Sequence, residues 1–493
     1  MHGYMPKPLA LLLAGAGDSS LTGNPDVTIT SIAVDSRRAE PGALFVCLRG
    51  ARDDGHEFAA QAVARGAAAV LAERDVDVPP GTTVARVADT LAALSPVAAA
   101  FYDHPSEALT IVGVTGTNGK TTTTHFIEAI AAAAKTPFGL IGTLGARLRG
   151  AFDAPLEHTT PFAHDLQRLL AMFRDARAAG AVLEVSSHAL ALHRVDDVAF
   201  DVATFTNLTQ DHLDFHATID EYRASKRRLF ESTARSDGVA VVNADDPQGE
   251  DIARAVRRRI TFGVGNAAAT LNAVDVRCAT DGSTFAVPAI RPAPFSIRLP
   301  GPFNVSNAMA ALASAVALDI DVEAIADGLA ALDGVPGRMM PVATGDFAVY
   351  VDYAHTPDGL RKVLAAARAL ARGRLICVFG CGGDRDAGKR PQMGRIARES
   401  SDVAIVTSDN PRFEDPDRII EDVVAGMTGA PGGDFEIEPD RAQAIDRAIG
   451  LARPGDVVVI AGKGHEAYQL VRGERTPFSD EAVARAAVEK VRA

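Results

Sequence analysis

Short apolar runs that end in polar residues recur through the middle of the chain. Residues 111–114, 181–185, 202–205 and 238–243 are such runs, and stretches of helical character separate them. An uninterrupted apolar run is typical of a strand buried on both faces, as in a parallel sheet. Because the carboxyl ends of parallel strands form the ligand edge of an open α/β sheet, the polar residues after these runs are candidates for a site.

The first hundred residues carry the same kind of pattern on a smaller scale. Residues 27–34 and 43–48 predict strands, and residues 61–66 and 88–102 predict helices. The dipeptide His104-Pro105 marks a boundary. We therefore expect a small α/β domain at the N-terminal end of the chain.

A third α/β region follows a break at residues 334–338, which read Gly-Val-Pro-Gly-Arg. Four further apolar runs predict strands here, at residues 347–351, 375–379, 403–407 and 457–460. The region has the size of one ordinary domain. The expected fold is α/β with three domains: residues 1–104, a central phosphate-loop-type parallel sheet with helices over residues 105–335, and a Rossmann-like domain over residues 336–493.

The clearest chemical signal follows the run 111–114. There the chain reads Thr115-Gly116-Thr117-Asn118-Gly119-Lys120-Thr121-Thr122, and a helical segment continues to about residue 134. In a phosphate loop the glycines let backbone N–H groups curve around a phosphate, the lysine reaches the terminal phosphates, and the threonine hydroxyl binds Mg²⁺. Val114 stands where the strict pattern has glycine, so this is a variant of that loop. A glycine-rich turn with a chance Lys-Thr is the alternative, and the strand–loop–helix order favours ATP binding.

Ligand-type side chains follow two neighbouring predicted strands. Glu184 comes at the end of one, where a second Mg²⁺ ligand belongs, although a solvent-facing carboxylate is the alternative. After the next strand, residues 207–216 read Asn-Leu-Thr-Gln-Asp-His-Leu-Asp-Phe-His. A lone histidine is more often structural than catalytic, but two His and two Asp within six residues point to a second Mg²⁺ or to a phosphate.

Two other polar residues leave their roles open. Lys226 lies in a probable helix, about one turn from Tyr222 and Phe230, and is either a solvated helix lysine or a phosphate contact. Asp352 follows the run 347–351, where its carboxylate would either bind ribose hydroxyls or form a turn with the backbone.

Three charged turns follow strands of the last domain, at residues 381–391, 408–412 and 462–466. Arg385 and Arg412 present planar forks that pair with carboxylates, whereas Asp409 and Glu466 accept ammonium groups. Ordinary loop chemistry would explain any one of these turns. Because parallel strands bring all three to one edge, we expect a pocket for a zwitterion.

Composition narrows the class of partner. The net charge is −13 and the pI about 5.4, which argues against a nucleic acid held through its phosphates but allows a small anionic ligand. Cys47, Cys278, Cys377 and Cys381 form no CxxC pair, which is typical of free thiols in a reducing cytosol. The apolar residues 9–14 suit a packed helix better than a signal peptide, and no run is long enough to span a membrane.

Together these motifs resemble the signature set of the Mur ligases, the ATP-dependent amide-forming enzymes of bacterial peptidoglycan synthesis. The resemblance runs through all three domains, in residues 115–122, 184–188, 211–216, 304–307, 352–358 and 382–390. Residues 409–412, Asp-Asn-Pro-Arg, are similar to the motif of the family member that adds meso-2,6-diaminopimelate. The resemblance implies that this amino acid is added to UDP-N-acetylmuramoyl-L-alanyl-D-glutamate through an acyl phosphate. It further implies ATP as co-substrate, Mg²⁺ as cofactor, and a monomeric cytoplasmic enzyme of cell-wall synthesis.

The resemblance also implies roles position by position. For ATP these are Thr115, Gly116, Thr117, Asn118, Gly119, Lys120, Thr121, Thr122, Asn304, Arg338 and Asp352. For the nucleotide-sugar peptide they are Ser36, Thr159, Thr160, Ser186 and Arg194, and for diaminopimelate Arg385, Asp409, Asn410, Pro411, Arg412, Gly462 and Glu466. Thr121, Glu184, His212 and Lys226 would hold Mg²⁺, with Lys226 carrying a carbamate formed from CO₂. Lys120, Lys226, His212 and Glu184 would be catalytic.

The sequence departs from the pattern of the family at two positions, and three other functions are alternatives. His158 stands where the family often has Asn, and Leu192 where it often has Gln, which leaves the peptide contacts in doubt. A lysine-adding ligase is disfavoured by Arg412, and a folate polyglutamylating ligase by the expected UDP-binding domain. A phosphate-loop ATPase that drives conformational work would leave the charged turns of the last domain without a task.

Overall fold

The structure, a computed structural model, describes residues 4–50, 53–209 and 215–492. The chain divides into two units, which are described separately below. The first contains Met1–Phe262 and Ala310–Ile320, and the second contains Gly263–Met309 and Asp321–Ala493.

In the first unit, strands and helices follow one another closely. The strands are β1 (Lys7–Pro8), β2 (Ser19–Thr22), β3 (Thr28–Ile29), β4 (Ser31–Ala33), β5 (Ala43–Val46), β6 (Ala69–Ala72), β7 (Thr83–Val87), β8 (Thr110–Thr115), β9 (Phe138–Gly142), β10 (Gly145–Leu148), β11 (Phe152–Ala154), β12 (Gly180–Glu184), β13 (Val202–Phe205), β14 (Val239–Asn243) and β15 (Arg258–Val264). The helices are α1 (Leu9–Leu13), α2 (Ala59–Ala64), α3 (Thr90–Phe101), α4 (Lys120–Ala133), α5 (Ala163–Asp175), α6 (Ser187–Ala191), α7 (Ile219–Arg235) and α8 (Gly249–Ala253).

The N-terminal sheet has the strand order β2-β7-β6-β5-β4, and β2 is its antiparallel edge. The single strand expected over residues 27–34 is wrong, because the chain forms two short strands there. β3 pairs with β1, whereas β4 pairs with β5. Between them, the amide of Thr30 donates to the carbonyl of Gly42, so this residue belongs to neither ladder.

The central sheet of the first unit is the parallel sheet that the apolar runs predict. Its order is β11-β10-β9-β12-β8-β13-β14-β15, with β9, β12, β8, β13, β14 and β15 parallel. Only the hairpin of β10 and β11 runs antiparallel to its neighbours. All of the parallel strands except the partly exposed β15 are buried on both faces, which is why no alternation of polar and apolar residues marks them.

In this sheet, register decides which polar groups meet. Glu184 pairs with Val114, and Phe205 pairs with Thr115. The ends of β12, β8 and β13 therefore lie at the same edge, from which the loop of residues 115–119 leads into α4. The structure thus confirms that the polar residues after these three strands lie at one edge of the sheet.

The second unit contains the remaining strands and helices. The strands are β16 (Leu271–Ala279), β17 (Gly282–Ala286), β18 (Phe295–Ile297), β19 (Met340–Ala343), β20 (Ala348–Asp352), β21 (Leu375–Phe379), β22 (Val403–Val406), β23 (Asp434–Ile437), β24 (Val457–Ala461), β25 (Tyr468–Val471) and β26 (Glu474–Pro477). The helices are α9 (Pro302–Ala317), whose last residues belong to the first unit, α10 (Val322–Ala331), α11 (Pro357–Leu370), α12 (Lys389–Ser400), α13 (Pro416–Met427), α14 (Arg441–Leu451) and α15 (Asp480–Arg492).

The large sheet of the second unit has the order β19-β20-β24-β21-β22-β23, and all its strands except β19 are parallel. Asp352 pairs with Ala461, and Phe379 pairs with Val406. The turns that follow β21, β22 and β24 thus leave from one edge of this sheet, as their sequence pattern predicts. Apolar clusters fill both faces of the sheet.

The mixed α/β class with parallel sheets is thereby confirmed. Among the helices in the described ranges, none combines the length and the apolar character needed to cross a lipid bilayer.

Candidate active site

The loop between β8 and α4 has the backbone of a phosphate-binding turn. Gly116 has φ +151° and Gly119 has φ +87°, which favour glycine over residues with a side chain. A Cβ on Gly116 would also lie 1.9 Å from Oγ1 of Thr206. The ammonium of Lys120 donates to the carbonyls of Gly116 at 2.8 Å and Thr117 at 3.0 Å. The lysine is thus held directly above the loop whose amides would face a phosphate.

A buried carboxylate lies beside this loop. Glu184 has 0% exposure, and its Oε2 accepts a hydrogen bond from the Thr121 hydroxyl at 3.0 Å. Thr143 adds two more donors to the same carboxylate, its amide at 2.9 Å and its hydroxyl at 3.0 Å. Hydroxyl and carboxylate oxygens are ligands that Mg²⁺ prefers, so Thr121 and Glu184 fit such an ion.

Lys226 belongs to the same neighbourhood. Its helix, α7, begins after Thr218, whose hydroxyl caps the first turn by accepting from the amide of Glu221 at 3.1 Å. Lys226 has only 1% exposure, and its ammonium donates to the carbonyl of Gly116 at 3.0 Å. It also lies 4.3 Å from the centre of the Tyr222 ring. The possibility that Lys226 is a solvated surface lysine is therefore wrong.

The fourth expected metal ligand, His212, lies outside the described residues, as do Asp211 and Asp214. Within residues 4–50, 53–209 and 215–492, no group of three or more His, Cys, Asp and Glu side chains is arranged to hold a metal ion.

Three of the residues expected at the nucleotide-sugar peptide lie together behind Glu184. The hydroxyl of Thr160 donates to the Glu184 carbonyl at 2.7 Å and lies 3.3 Å from Oγ of Ser186. Arg194 donates to the Thr160 carbonyl at 2.8 Å. Burial lowers the pKa of Arg194 to about 10, so this guanidinium is still charged at neutral pH. The cluster therefore places the positively charged guanidinium of Arg194 close to Glu184 at the edge of the sheet.

The other two expected contacts lie at different places. The hydroxyl of Thr159 is 3.1 Å from that of Thr143, which extends the Glu184 cluster. Ser36 belongs to the N-terminal region, where its hydroxyl donates to Oε1 of Gln61 at 2.7 Å. Thr159 thus belongs to the cluster around Glu184, whereas Ser36 lies just after strand β4 of the N-terminal sheet.

The two departures from the family pattern have local structural roles. The ring of His158 packs edge-on against Phe162 at 5.5 Å, and Phe162 is also covered by the Arg194 guanidinium at 4.2 Å. Burial, together with the charge of Arg194, lowers the pKa of His158, so its imidazole is neutral at pH 7. Leu192 forms the C-terminal cap of α6.

The ATP residues expected in the second unit are each held by their surroundings. Asn304 is buried in the first turns of α9, where its side-chain amide donates to the Pro300 carbonyl at 2.8 Å. The guanidinium of Arg338 lies 5.3 Å from the centre of the Tyr353 ring. Asp352 accepts hydrogen bonds from the amides of Met339 at 2.7 Å and Ala354 at 2.8 Å. This carboxylate forms the turn that was the alternative to ribose binding, and burial raises its pKa despite the nearby Arg338.

The charged turns of the second unit meet as a cluster at the sheet edge. The amide of Asn410 donates to Oε2 of Glu466 at 2.7 Å. Gly462 has φ +118°, and a Cβ there would lie 2.6 Å from Oδ2 of Asp409. Burial and the charge of Asp409 raise the pKa of Glu466, although Lys463 acts in the opposite direction. The edge therefore concentrates negative charge.

The two arginines lie on the turns beside this cluster. Arg412 donates to the carbonyl of Gly383 at 2.6 Å, which ties the second turn to the first. The two turns also touch at Pro411, whose carbonyl would lie 2.0 Å from a Cβ on Gly383. Arg385 is exposed two residues further along the first turn. Arg412 thus lies close enough to Glu466 for its charge to lower the pKa of that carboxyl, whereas Arg385 lies exposed on the neighbouring turn.

Sequence reasoning missed several residues that shape these clusters. Thr143 follows β9, and nothing in its local pattern connects it with Glu184. Lys463 and Arg441 are buried behind Asp409. Lys463 lies within the quoted turn 462–466, so its charge was visible, but its burial was not.

With this geometry in hand, comparison with protein-family models gives three consecutive matches. Residues 28–103 match "Mur ligase family, catalytic domain", residues 114–315 match "Mur ligase middle domain", and residues 337–464 match "Mur ligase, glutamate ligase domain". The chain belongs to the Mur ligase family and is an ATP-dependent ligase, which confirms the class expected from the sequence.

Individual relatives show which members of the family this chain resembles. The chain is 49% identical to the UDP-N-acetylmuramoyl-L-alanyl-D-glutamate–2,6-diaminopimelate ligase of Gloeobacter violaceus, over 95% of each protein. It is 47% identical to the enzyme of the same name from Syntrophomonas wolfei, over 93% of this chain and 94% of that one. A solved structure with this name has a TM-score of 0.70 at 32% identity, and the match covers 99% of this chain and 100% of the other.

Proposed function

We propose that this enzyme joins meso-2,6-diaminopimelate to UDP-N-acetylmuramoyl-L-alanyl-D-glutamate at the expense of ATP, in the cytoplasm. The observation that carries the proposal is the cluster of Asp409, Asn410 and Glu466 flanked by Arg412, which suits an amino acid with an additional carboxylate. We assign the nucleotide sugar to residues 1–104, ATP to residues 105–335 and the amino acid to residues 336–493.

The chemistry requires an activated carboxyl group. A carboxylate is a poor electrophile because its negative charge repels an incoming amine, and conversion into an acyl phosphate removes that obstacle. Lys120 would neutralise charge on the γ-phosphate while the D-Glu carboxylate attacks it, the bond between the β- and γ-phosphates breaks and ADP leaves. The amine, deprotonated beforehand, then adds to the acyl phosphate, and phosphate leaves while the nitrogen gives up a proton and the amide forms. Positioning and charge neutralisation supply most of the rate enhancement in such phosphoryl transfer.

We assign Mg²⁺ to Thr121, Glu184, His212 and a carbamate on Lys226. The ion would supply positive charge at the phosphate oxygens. Thr121 and Glu184 offer neighbouring oxygen atoms, which supports the assignment. Lys226 would change from a cation into an anion on reaction with CO₂. Its ammonium lies 3.0 Å from the loop carbonyl of Gly116, so the carbamate would form beside the phosphate loop.

The carbamate makes a testable claim about Lys226. We expect Lys226→Ala to lose most of the ligase activity, and added formate or acetate to restore part of it by replacing the missing carboxylate. The measurement is phosphate release with all three substrates, with Lys490→Ala as control because Lys490 is exposed and forms a surface ion pair with Asp446. No rescue at any carboxylate concentration, in a folded variant that still binds ATP, would argue against the carbamate.

Arg412 tests the amino-acid assignment. Diaminopimelate has a second carboxylate that lysine lacks, and loss of a charge-assisted partner costs roughly 2–5 kcal/mol, or about 30- to several-thousand-fold in kcat/KM. We expect Arg412→Ala to lose this factor with diaminopimelate while the KM for ATP stays nearly constant. Arg418→Ala, an exposed arginine of the adjacent helix α13, is the matched control.

The same phosphate-release assay separates the rival functions. It is run with the UDP-muramoyl-dipeptide and with diaminopimelate, lysine or no amino acid. Equal turnover of lysine and diaminopimelate would overturn the specificity assignment, and phosphate release without any amino acid would favour a simple ATPase.

A further inference from the structure

Three fully buried charged side chains lie behind the amino-acid cluster, and the proposed reaction gives them no role. They are Arg441 at the start of α14, Lys463 after β24 and Asp480 at the start of α15. Each has at most 1% exposure. Removal of charge from water is costly unless the charge is paired, so these side chains must compensate one another or their neighbours.

Arg441 and Asp480 form one pair. Nε and Nη2 of Arg441 donate to the two oxygens of Asp480, each at 2.7 Å, and Nη2 also donates to the Ala461 carbonyl at 3.0 Å. Nη1 of Arg441 has no hydrogen-bond partner among the described residues, and it lies 4.0 Å from Oδ2 of Asp409. The pair is therefore anchored at one side and directs positive charge at Asp409 from the other.

Lys463 fixes the orientation of Asn410. Its ammonium donates to Oδ1 of Asn410 at 2.8 Å, and the amide of Leu470 donates to the same oxygen at 2.9 Å. Two donors on this atom mean that it must be the oxygen, so the NH₂ group of the side chain points the other way. There it donates to Glu466 at 2.7 Å. Lys463 and the amide of Leu470 thus together determine which end of the Asn410 side-chain amide faces Glu466.

The buried cations also balance part of the negative charge of the carboxylates in this cluster. Lys463 lies 3.8 Å from Oδ1 of Asp409 and 3.6 Å from Oε2 of Glu466. With all groups ionised, the carboxylates of Asp409, Glu466 and Asp480 exceed the cations of Arg441 and Lys463 by one charge. Glu466 and Asp409 are also the members that reach solvent, so the excess negative charge lies on the open side.

We propose that Lys463, supported by the Arg441–Asp480 pair, is a positioning residue that holds Asn410 and Glu466 in the arrangement that receives the ammonium group of the incoming amino acid. This inference rests on the proposed function. Lys463 does not itself reach the substrate, because its side chain is completely buried. It acts through Asn410, whose orientation it sets, and through Glu466 and Asp409, whose charge it partly balances.

The test removes the ammonium but keeps the length of the side chain. In Lys463→Met we expect the KM for diaminopimelate to rise at least tenfold, while the KM values for ATP and the UDP-muramoyl-dipeptide change less than twofold. Without the lysine, the Asn410 oxygen keeps only the Leu470 amide as a donor, and the carboxylates of Asp409 and Glu466 lose a nearby positive charge. Lys490→Met, at an exposed lysine, is the control.

Lys463→Gln separates orientation from charge. Its amide still offers a donor to Asn410, so we expect its KM for diaminopimelate to lie between those of wild type and Lys463→Met. If Lys463→Met does not fold, Lys463→Gln carries the test alone through the ratio of its KM for diaminopimelate to its KM for ATP, because a KM does not depend on the fraction of folded enzyme.

Three results would overturn the inference: an unchanged KM for diaminopimelate, a lower one, or an equal rise for all three substrates. A lower KM would mean that Lys463 only repels the ammonium. If wild type itself does not use diaminopimelate, the proposed function fails instead, so the two failures are distinct.

Discussion

Lys226 and Lys463 are ordinary lysines in the sequence, yet the structure buries both completely. Lys226 lies on the inner face of α7 and donates to the phosphate loop, whereas Lys463 follows β24 and donates to Asn410. A buried ammonium needs an acceptor or a counter-charge, and each of these two has one. Burial thus distinguishes these two lysines from the many surface lysines and arginines of the chain.

His465, next to Glu466, gives a prediction at this scale. Burial, with the charge of Arg338 added to it, lowers the pKa of His465 from 6.5 to about 4. Between these values the unfolded chain binds a proton that the folded protein does not, so stability falls as the pH falls through this window. We expect His465→Gln to lose less free energy of unfolding between pH 7 and pH 5, as measured by urea denaturation. The difference is at most about 1.4 kcal/mol per pH unit, and partial exposure of the ring reduces it.

The control for this experiment is His104→Asn. His104 is exposed with φ +46°, a conformation that Asn tolerates well. Parallel pH profiles for wild type and His465→Gln would show that His465 is protonated as easily in the folded protein as in the unfolded chain.

Among the secondary-structure elements, the helices α12 and α13 show how close packing depends on glycine. A Cβ on Gly394 of α12 would lie 2.1 Å from the carbonyl of Val423, and one on Gly426 of α13 would lie 1.8 Å from the carbonyl of Pro391. Backbone is in contact with backbone at both places. These helices cover the strand β22, which leads into the turn of Asp409 and Arg412.

Gly426→Ala should therefore push α12 and α13 apart. We expect it to lower the free energy of unfolding by about 2 kcal/mol or more, since an added methyl group has no space. Gly450 of α14 is the matched control, because it is exposed and no other atom lies within 4 Å of its Cβ position. Gly450→Ala should raise stability by about 0.5–1 kcal/mol through its better helix propensity. Thermal and urea unfolding measure both, and equal effects of the two variants would refute the packing argument.

For the whole molecule, net charge and local charge differ in sign at the phosphate loop. The chain carries a net charge of −13, but the ammonium groups of Lys120 and Lys226 both donate to the carbonyl of Gly116. With the carbamate proposed above, Lys226 would no longer be a cation, so the positive charge at this loop would come from Lys120 and the proposed Mg²⁺.

Much of this architecture could be predicted from the sequence. The runs at 202–205 and 375–379 coincide with β13 and β21, and the helix expected from Lys120 ends within one residue of its predicted position. Long apolar runs and strong helical segments can be recognised in the sequence because the burial of a strand and the propensity for a helix depend on neighbouring residues. The hairpin of β10 and β11 and the strands β16 to β18 were not predicted, since their antiparallel pairing depends on partners rather than on composition.

The candidate site likewise has features that the sequence predicts and features that depend on tertiary contacts. The loop at Gly116–Thr122 and the motif at residues 409–412 could be read directly, because their chemistry is encoded in neighbouring residues. The donors that Thr143 gives to Glu184 join residues 41 positions apart, and Asn410 lies 53 positions from Lys463 and 56 from Glu466 in the sequence. No local pattern contains such contacts.

The sequence by itself thus determined the parallel α/β sheets, the glycine-rich loop, the membership in the family and the residue types of the proposed amino-acid site. Only the tertiary structure decided which charges are buried and which partners compensate them, as for Lys226, Arg441 and Lys463. The physical reason is that periodicity and motifs record preferences of neighbouring residues, whereas the cost of a buried charge is set by groups that folding brings from distant parts of the chain.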